Sequence, residues 1–287
     1  MNATTAWAWR PAVTSRLEQP VTLLRLEGPD ALRVLHGQSS QAIELAKPGS
    51  ALATCLISPT ARMRGLAQVL VDGSGAWLLI EAGDGAAVRT ALDRVLFPAD
   101  RVELGPLLQG LLIRPVLALG ETALPAELPQ VEPGRWRTLA SGGASSAIAT
   151  PDASAWVLSQ GLLQLNPAAP LPDALAKRAA LGPHEQERWR LQQGIPAAPG
   201  ELNDDYNPFE LGLADRVSLN KGCYVGQETL AKLATYDGVK QQLRRWCWQQ
   251  QGATAGSSHA AHNPGLTLPH SGAVLHSDNG DRAGQIT

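Results

Sequence analysis

The first hundred residues alternate between strand-like and helix-like spacing of apolar positions. Residues 21–27 are rich in β-branched residues and leucine and end at a Gly-Pro-Asp turn, after which residues 30–36 have helical spacing. Three further strand-like runs precede a helical pattern at residues 84–96; they cover residues 51–58, 65–72 and 76–82. Strands that cluster with occasional helices, without strict alternation, predict an α+β fold with largely antiparallel sheets.

The second half of the chain carries its clearest pattern after residue 183. Residues 184–193 predict a helix that ends at Gly194, and residues 227–235 have a helix-forming composition. Residues 241–248 alternate like a strand, and the Gly-, Ser- and His-rich residues 249–264 predict a flexible insertion. Two more strand-like pieces cover residues 272–276 and 282–287. A sheet of so few strands is too small to be stable alone.

Length and charge limit the classes of function that we expect for this chain. The 287 residues suit one large domain or two to three closely packed ones. The formal net charge is -2, from 24 basic and 26 acidic side chains, which predicts no direct binding to nucleic acid or to an anionic membrane. No stretch approaches the roughly 20 apolar residues that cross a bilayer, and the first residues lack the apolar core of a secretory signal. We therefore expect a cytoplasmic protein.

The cysteines and histidines give little support to a metal site. Cys55, Cys223 and Cys247 are odd in number and form no C-x-x-C pair, which argues against a disulfide framework, a four-thiolate zinc site and a self-contained iron–sulfur cluster. His259 and His262 lie in a low-complexity run, where a solvated loop is the expectation. Neither a G-x-G-x-x-G nor a G-x-x-x-x-G-K-[ST] motif occurs. Any thiol chemistry therefore depends on one cysteine.

Cys223 has the sequence context that best suits a reactive thiol. Lys221 lies two positions before it, and a predicted helix begins near Gln227. A nearby ammonium and the positive end of a helix both favour the thiolate, and flanking glycine lets the backbone approach a ligand closely. Gln227 and Glu228 add an amide and a carboxylate within a turn of the thiol. The alternative is a half-buried cysteine that acts as a small hydrophobe, and composition alone favours that alternative.

The eight residues 221–228, KGCYVGQE, closely resemble the K-G-C-[YF]-x-G-Q-E signature of YgfZ-type proteins. These form a branch of the superfamily that includes the glycine-cleavage T-protein. Further segments are similar to that family: residues 26–31, 35–38, 190–196, 207–213 and 215–220. The resemblance covers about residues 20–105 and 185–250. The chain departs from the family at residues 39–41, Ser-Ser-Gln in place of a T-N-D-like triplet, and at residues 59–62, Pro-Thr-Ala-Arg in place of P-x-G-[RK].

The resemblance implies a three-lobed, ring-like α+β fold around a channel that binds a reduced folate. On that basis, residues 1–245 are expected to form a folate-binding region of two intertwined α+β lobes, including a ferredoxin-like lobe, with one of the two lobes at about residues 50–110. Residues 246–287 are expected to form a partial C-terminal β-barrel that is truncated at its end.

The resemblance also implies a function. The cofactor is expected to be tetrahydrofolate or a one-carbon derivative, and the partners to be iron–sulfur assembly proteins or 4Fe–4S client enzymes, with an indirect effect on tRNA modification. Cys223 is the candidate reactive residue. By the chemistry of a pterin edge and a glutamate tail, Glu210, Gln227 and Glu228 are candidates for the ring, and Arg190 or Lys221 for the tail. Tyr224 completes the candidate binding residues.

Two other functions remain open at this point. One is a tetrahydrofolate-dependent aminomethyltransferase like the T-protein, whose corresponding segment lacks the cysteine-centred signature. The other is a folate-binding scaffold in which Cys223 has no chemical role. For the individual residues, ordinary structural roles compete with binding: Arg190 on a helix face is commonly ion-paired, and Glu210 can cap a turn locally.

Overall fold

The structure is a computed structural model that describes residues 8–122, 128–139, 155–166, 169–245, 270–277 and 279–287. The chain divides into two compact units, Trp9–Arg244 and a second unit made of Met1–Ala8 with Arg245–Thr287. The predicted insertion at residues 249–264, with His259 and His262, lies outside the described residues, as does Cys247.

An antiparallel sheet forms the centre of the larger unit. Its strands are β1 (Ser15–Glu27), β2 (Ala51–Ile57), β3 (Met63–Val71), β4 (Gly75–Gly83), β5 (Glu103–Val116), β6 (Trp136–Leu139), β7 (Ala155–Leu158) and β8 (Gly161–Gln164). Their order is β2-β3-β4-β1-β5-β8-β7-β6, and every neighbouring pair is antiparallel. The predicted antiparallel α+β architecture is therefore confirmed, whereas the three-lobed ring and the truncated barrel stay predictions.

The sheet curls until its two outer strands meet. Ser50, just before β2, forms an antiparallel bridge with Arg135, just before β6. The Ala51 N–H donates to the Gly134 carbonyl at 2.7 Å, and the Trp136 N–H donates to the Gly49 carbonyl at 3.0 Å. Because strands twist with a fixed hand, a sheet of this width closes on itself when its edges find partners in each other.

Helices flank the sheet and carry the segment of interest. They are α1 (Ala31–Gln38), α2 (Gly85–Val95), α3 (Asp173–Ala176), α4 (Pro183–Gln193) and α5 (Gln227–Thr235), with a 3-10 turn at Ala214–Arg216. Gly194 adopts a left-handed conformation with φ 67° after α4, as the predicted helix end requires. The helices predicted at residues 30–36, 84–96, 184–193 and 227–235 are confirmed within a few residues.

Apolar clusters fill the larger unit, and one of them includes residues of the candidate site. One packs α1 and α2 against β1, β3 and β4, and a second contains Trp77, Trp136 and Trp156. The third joins Cys55, Met63 and Leu66 of the sheet to Tyr224 and Leu230, which belong to the signature segment and α5. Burial of these apolar side chains fixes the segment around Cys223 against β2 and β3.

The strand predicted at residues 241–248 is wrong over its described part. Residues 241–245 form no strand, and residues 246–248 lie outside the described residues. The Leu243 N–H donates to the Glu210 carbonyl at 2.7 Å, and the Gln241 amide donates to the Glu210 carboxylate at 3.2 Å. Residues 241–245 thus form a loop that hydrogen-bonds to Glu210, and they take no part in a strand ladder.

The smaller unit contains a two-stranded antiparallel sheet in its described residues. The strands are β9 (Val274–His276) and β10 (Arg282–Gln285), with Val274 opposite Gln285. Both strands lie within the predicted segments. Among the described residues, no helix combines the length and the apolar character that crossing a bilayer requires.

Candidate functional site

Cys223 lies on an exposed loop between two glycines with left-handed backbone. Gly222 has φ 85° and Gly226 has φ 76°, and α5 begins directly afterwards at Gln227. An added Cβ at Gly226 would lie 2.9 Å from the Ser58 carbonyl oxygen, whereas at Gly222 it would meet no atom within 4 Å. Gly226 therefore supplies both the backbone conformation and a close approach, and the thiol of Cys223 is exposed.

Lys221 directs its ammonium into the protein. The Nζ atom donates to the backbone carbonyls of His36, Ser39 and Gln41, the last two at 2.8 and 2.9 Å. It also lies 4.3 Å from the centre of the Tyr224 ring. Burial lowers the pKa of Lys221 to about 7, while the carbonyl oxygens and the ring face act in the opposite direction because both stabilise the ammonium. The Lys221 side chain, which was predicted to bind the glutamate tail of a folate, thus donates its hydrogen bonds to backbone carbonyls.

The loop after α1 and the segment before α5 are connected by further hydrogen bonds. The Val225 N–H donates to the Gly37 carbonyl at 2.9 Å, and the Ser218 N–H donates to the Ser40 carbonyl at 2.8 Å. The Ser40 hydroxyl donates to the Arg216 carbonyl at 2.6 Å. These hydrogen bonds connect segments about 180 residues apart in sequence. They restrict the backbone of the residues that flank Cys223.

Gly226 also packs against the turn at residues 58–62. In this turn the Ser58 N–H donates to the Arg62 carbonyl at 2.9 Å, and the Ser58 hydroxyl accepts from the Arg62 N–H at 3.0 Å. Ala61 is fully buried with φ 60°, a conformation that favours glycine. The family pattern has glycine at this position, so the structure gives a physical reason for that preference.

Glu210 is buried, and its carboxylate accepts hydrogen bonds. Its carboxylate accepts from the Asn207 N–H at 2.8 Å and from the Gln241 amide at 3.2 Å, and the Arg62 guanidinium lies 3.8 Å away. The Asn207 side chain accepts in turn from the N–H groups of Phe209 and Glu210. Each carboxylate oxygen has capacity for a further donor, which leaves Glu210 chemically able to bind a pterin edge.

Arg190 is engaged by carboxylates on both sides. Its guanidinium forms two hydrogen bonds with Glu187, at 2.8 and 2.7 Å, and lies 3.5 Å from buried Glu201. It also donates to the Ile195 carbonyl. The Glu187 hydrogen bonds raise the pKa of Arg190 further above its ordinary value. These contacts explain how the turn after α4 is held, and they occupy most donors of a residue predicted for a folate tail.

The remaining candidates differ in exposure. Glu228 is exposed and pairs with Lys232 one turn along α5 at 2.7 Å, which lowers the pKa of the carboxyl. Gln227 is half-buried at the first position of α5. Tyr224 is buried, burial raises the pKa of its phenol, and its hydroxyl has no hydrogen-bond partner among the described residues. Gln227 is therefore partly open to a ligand, whereas the Tyr224 hydroxyl has unused hydrogen-bonding capacity but is enclosed by protein.

The donor set fits a folate in part. Glu210, Gln227 and the Tyr224 hydroxyl have the capacity to bind the polar edge of a pterin. For the tail, Lys221 and Arg190 are occupied, whereas the Arg62 side chain beside Glu210 is 43% exposed. The sequence did not identify Arg62 as a binding candidate, although Arg62 is the last residue of the segment 59–62 that departs from the family pattern. Among the described residues, no group of three His, Cys, Asp or Glu side chains is arranged to hold a metal ion.

His36 is the second residue that sequence reasoning missed. It lies in the last turn of α1, and its Nε2 atom is 2.7 Å from the Lys221 carbonyl oxygen. The Leu-His-Gly-Gln segment at residues 35–38 supported the family resemblance but gave no role to the histidine. No local pattern could have given one, because its partner is 185 residues away.

Comparisons with known proteins agree with the fold. No family model matches the chain. It is 28% identical over 230 residues to a chloroplastic protein of Arabidopsis thaliana named "Putative transferase", and the match covers 77% of this chain and 52% of that protein. The chain thus spans about half the length of this curated relative.

A solved structure extends the comparison to almost the whole chain. The glycine cleavage system aminomethyltransferase T from Bartonella henselae matches with a TM-score of 0.64 and 14% identity, over 96% of this chain and 74% of that one. The chain therefore has the fold of the glycine-cleavage T-protein.

Proposed function

We propose that this chain is a folate-binding accessory protein that supports the assembly or repair of 4Fe–4S clusters through Cys223, with an indirect effect on tRNA modification. The observation that carries the proposal is the position of Cys223, an exposed thiol on a loop whose flanking residues are anchored to the protein. A cysteine placed in this way is accessible to a partner, whereas Cys55 is fully buried.

A single exposed thiol favours transient chemistry with a partner over a resident metal centre. A 4Fe–4S cluster needs about four thiolate ligands, and Cys223 supplies one. In this proposal the cluster is cargo, and the remaining ligands come from iron–sulfur assembly proteins or from client enzymes. A cytoplasmic location, as expected from the sequence, forms part of the same proposal.

The folate part of the proposal is supported by the fold and by the hydrogen-bonding capacity of the candidate side chains. The similar solved structure is named as an aminomethyltransferase of the glycine cleavage system. In this chain, Glu210, Gln227, Glu228 and Tyr224 are proposed to contact the pterin of tetrahydrofolate or a one-carbon derivative. Arg190 and Lys221 stay proposed tail residues, and binding there would require them to exchange present contacts for the glutamate carboxylates.

An aminomethyltransferase is the second candidate function. It is favoured by the names of the two similar proteins, a transferase and an aminomethyltransferase. Transfer of a one-carbon unit from an aminomethylated lipoyl carrier to tetrahydrofolate would be measured directly. Robust turnover that persists in Cys223→Ala would replace our proposal by this second function.

The decisive experiment compares variants in a strain that is deficient in 4Fe–4S maturation. Wild type and Cys247→Ala are expected to restore the activity of a 4Fe–4S enzyme, and Cys223→Ala is expected to abolish the rescue. Calorimetric titration with tetrahydrofolate should give the same affinity for Cys223→Ala as for wild type within about threefold, because the thiol is not a proposed folate contact. Full rescue by Cys223→Ala would support a folate-binding scaffold in which the cysteine has no chemical role.

A further inference from the structure

The imidazole of His36 bridges two segments of backbone. On one side, its Nε2 atom lies 2.7 Å from the Lys221 carbonyl oxygen. On the other side, its Nδ1 atom accepts from the N–H groups of Ile43 and Glu44 at 3.3 and 3.1 Å. Both ring nitrogens are thus used, one toward the segment that carries Cys223 and one toward the loop that follows α1.

These partners determine the protonation state of the ring. A backbone carbonyl only accepts, so Nε2 must carry the hydrogen that faces Lys221. A backbone N–H only donates, so Nδ1 must present its lone pair to Ile43 and Glu44. The neutral Nε2–H tautomer satisfies all three contacts, whereas an imidazolium would direct an N–H at two other N–H groups.

Residues on both sides of Cys223 are anchored to the protein. Before the cysteine, the Lys221 ammonium donates to the carbonyls of His36 and Ser39, while its own carbonyl accepts from His36. After the cysteine, the Tyr224 ring is buried and the Val225 N–H donates to the Gly37 carbonyl. Between these anchors the side chain of Cys223 is exposed.

We propose that His36 is the residue that positions Cys223, acting as a neutral Nε2–H imidazole that holds the Lys221 peptide against the end of α1. His36 does not touch the thiol, and it acts through the backbone of residues 221–225. The functional value of this positioning rests on the proposed role of Cys223. The tautomer of His36 and the order of the loop can be measured whether or not Cys223 has that role.

The charges around His36 indicate what protonation would do. The Lys221 ammonium donates to the His36 carbonyl, Glu44 belongs to the loop after α1 and contacts the ring through its N–H, and Arg33 lies one turn earlier on α1 itself. Arg33 is itself paired with Asp30 and Asp100. Adding a proton at Nδ1 of His36 removes two hydrogen bonds and adds a cation to the side of the ring that faces the N–H groups of Ile43 and Glu44. Acid is therefore expected to free residues 221–225.

The test uses a nitroxide spin label on Cys223 in the full chain, with Cys247→Ser so that buried Cys55 is the other remaining thiol. In wild-type background the electron paramagnetic resonance spectrum should show an ordered label at neutral pH. His36→Ala should narrow the central line, which reports a mobile loop. His36→Gln should restore the ordered spectrum, because the glutamine amide reaches the Nε2 position, whereas His36→Asn, whose amide reaches only the Nδ1 position, should not.

Two comparisons separate positioning from a general loss of structure. On acidification, the label should become mobile with His36 present and stay ordered in His36→Gln. An identical acid response in both proteins would overturn the proposal, as would an ordered label in His36→Ala.

Nitrogen-15 spectra of the wild-type histidine rings provide a readout that does not depend on a variant that folds poorly. The resonance that disappears in His36→Gln should have the shifts of a protonated Nε2 and an unprotonated Nδ1. The opposite tautomer, or an exchange average of the two, would contradict the assignment. Because neither measurement involves folate or clusters, a failure here is distinct from a failure of the proposed function.

Discussion

Cys55 and Cys223 carry the same thiol in opposite surroundings. Cys55 is fully buried on β2, and burial raises the pKa of its thiol to about 12. Cys223 is exposed, although the next residue, Tyr224, packs into the same apolar cluster as Cys55. One step along the chain therefore separates the core from the surface. The backbone of the short loop at residues 221–226 therefore determines that the Cys223 thiol is accessible.

The largest expected effect is on alkylation. With a neutral alkylating reagent at pH 8, Cys223 should react at least about 10³-fold faster than Cys55, because a buried thiol reacts only after opening and a thiol of high pKa is almost entirely protonated. Peptide mass spectrometry after timed quenching gives both rates in one sample. Comparable rates would show that β2 opens easily and would remove the contrast.

The next effect disturbs the loop beside Cys223. Gly226→Ala should lower the free energy of unfolding by about 2–4 kcal/mol, because it places a Cβ at positive φ and 2.9 Å from the Ser58 carbonyl oxygen. Gly222→Ala is the matched control, since its φ is also positive but no atom lies within 4 Å. It should cost about 1 kcal/mol. Urea denaturation measures both, and equal losses would contradict the close contact at Gly226.

A smaller effect concerns the dependence of stability on pH. The unfolded chain releases the Cys55 proton near pH 8.5, whereas the folded chain keeps it until about pH 12. The folded state therefore binds more protons in this window, and its unfolding free energy should fall by at most about 1.4 kcal/mol per pH unit as pH rises. The difference between wild type and Cys55→Ala isolates this slope between pH 8.5 and 10.5. A difference that does not change with pH would indicate a solvated Cys55.

The smallest effect on stability is expected at Glu228. Its exposed pair with Lys232 contributes little, so Glu228→Gln should leave the urea midpoint unchanged. If Glu228 contacts the pterin as proposed, the same change should weaken tetrahydrofolate binding on the order of tenfold. Lys232→Gln breaks the same ion pair and serves as the control for binding. Equal affinities in all three proteins would remove Glu228 from the proposed site.

Local signals in the sequence were sufficient for much of the fold. Strands β2 to β4 follow from apolar runs that end in turn residues, and α5 follows from composition, since each depends on neighbours within about ten residues. Strand β1 was predicted only from residue 21 onward. Its first residues, including Pro20, pair with β5, about 90–100 residues away, and this distant partner outweighs their polar composition.

The candidate site was predicted less completely. Cys223 was found because its whole context is contiguous. The contacts of Lys221 and His36 could not be found in this way, because they depend on carbonyl groups and ring nitrogens brought together by the fold. The position of Lys221 two residues before Cys223 suggested that it would act on the thiol or on a ligand, and in the structure its ammonium binds backbone carbonyls.

The separation of His36 and Lys221 has a consequence for protein synthesis. The two residues are 185 positions apart. At translation rates of about 5–20 residues per second, the ribosome makes Lys221 roughly 10–40 s after His36. During this delay the carbonyls of His36, Ser39 and Gln41 lack the Lys221 ammonium and have water as their partner. The loop with Cys223 can therefore gain its hydrogen bonds to the end of α1 only after residues 221–225 have been made.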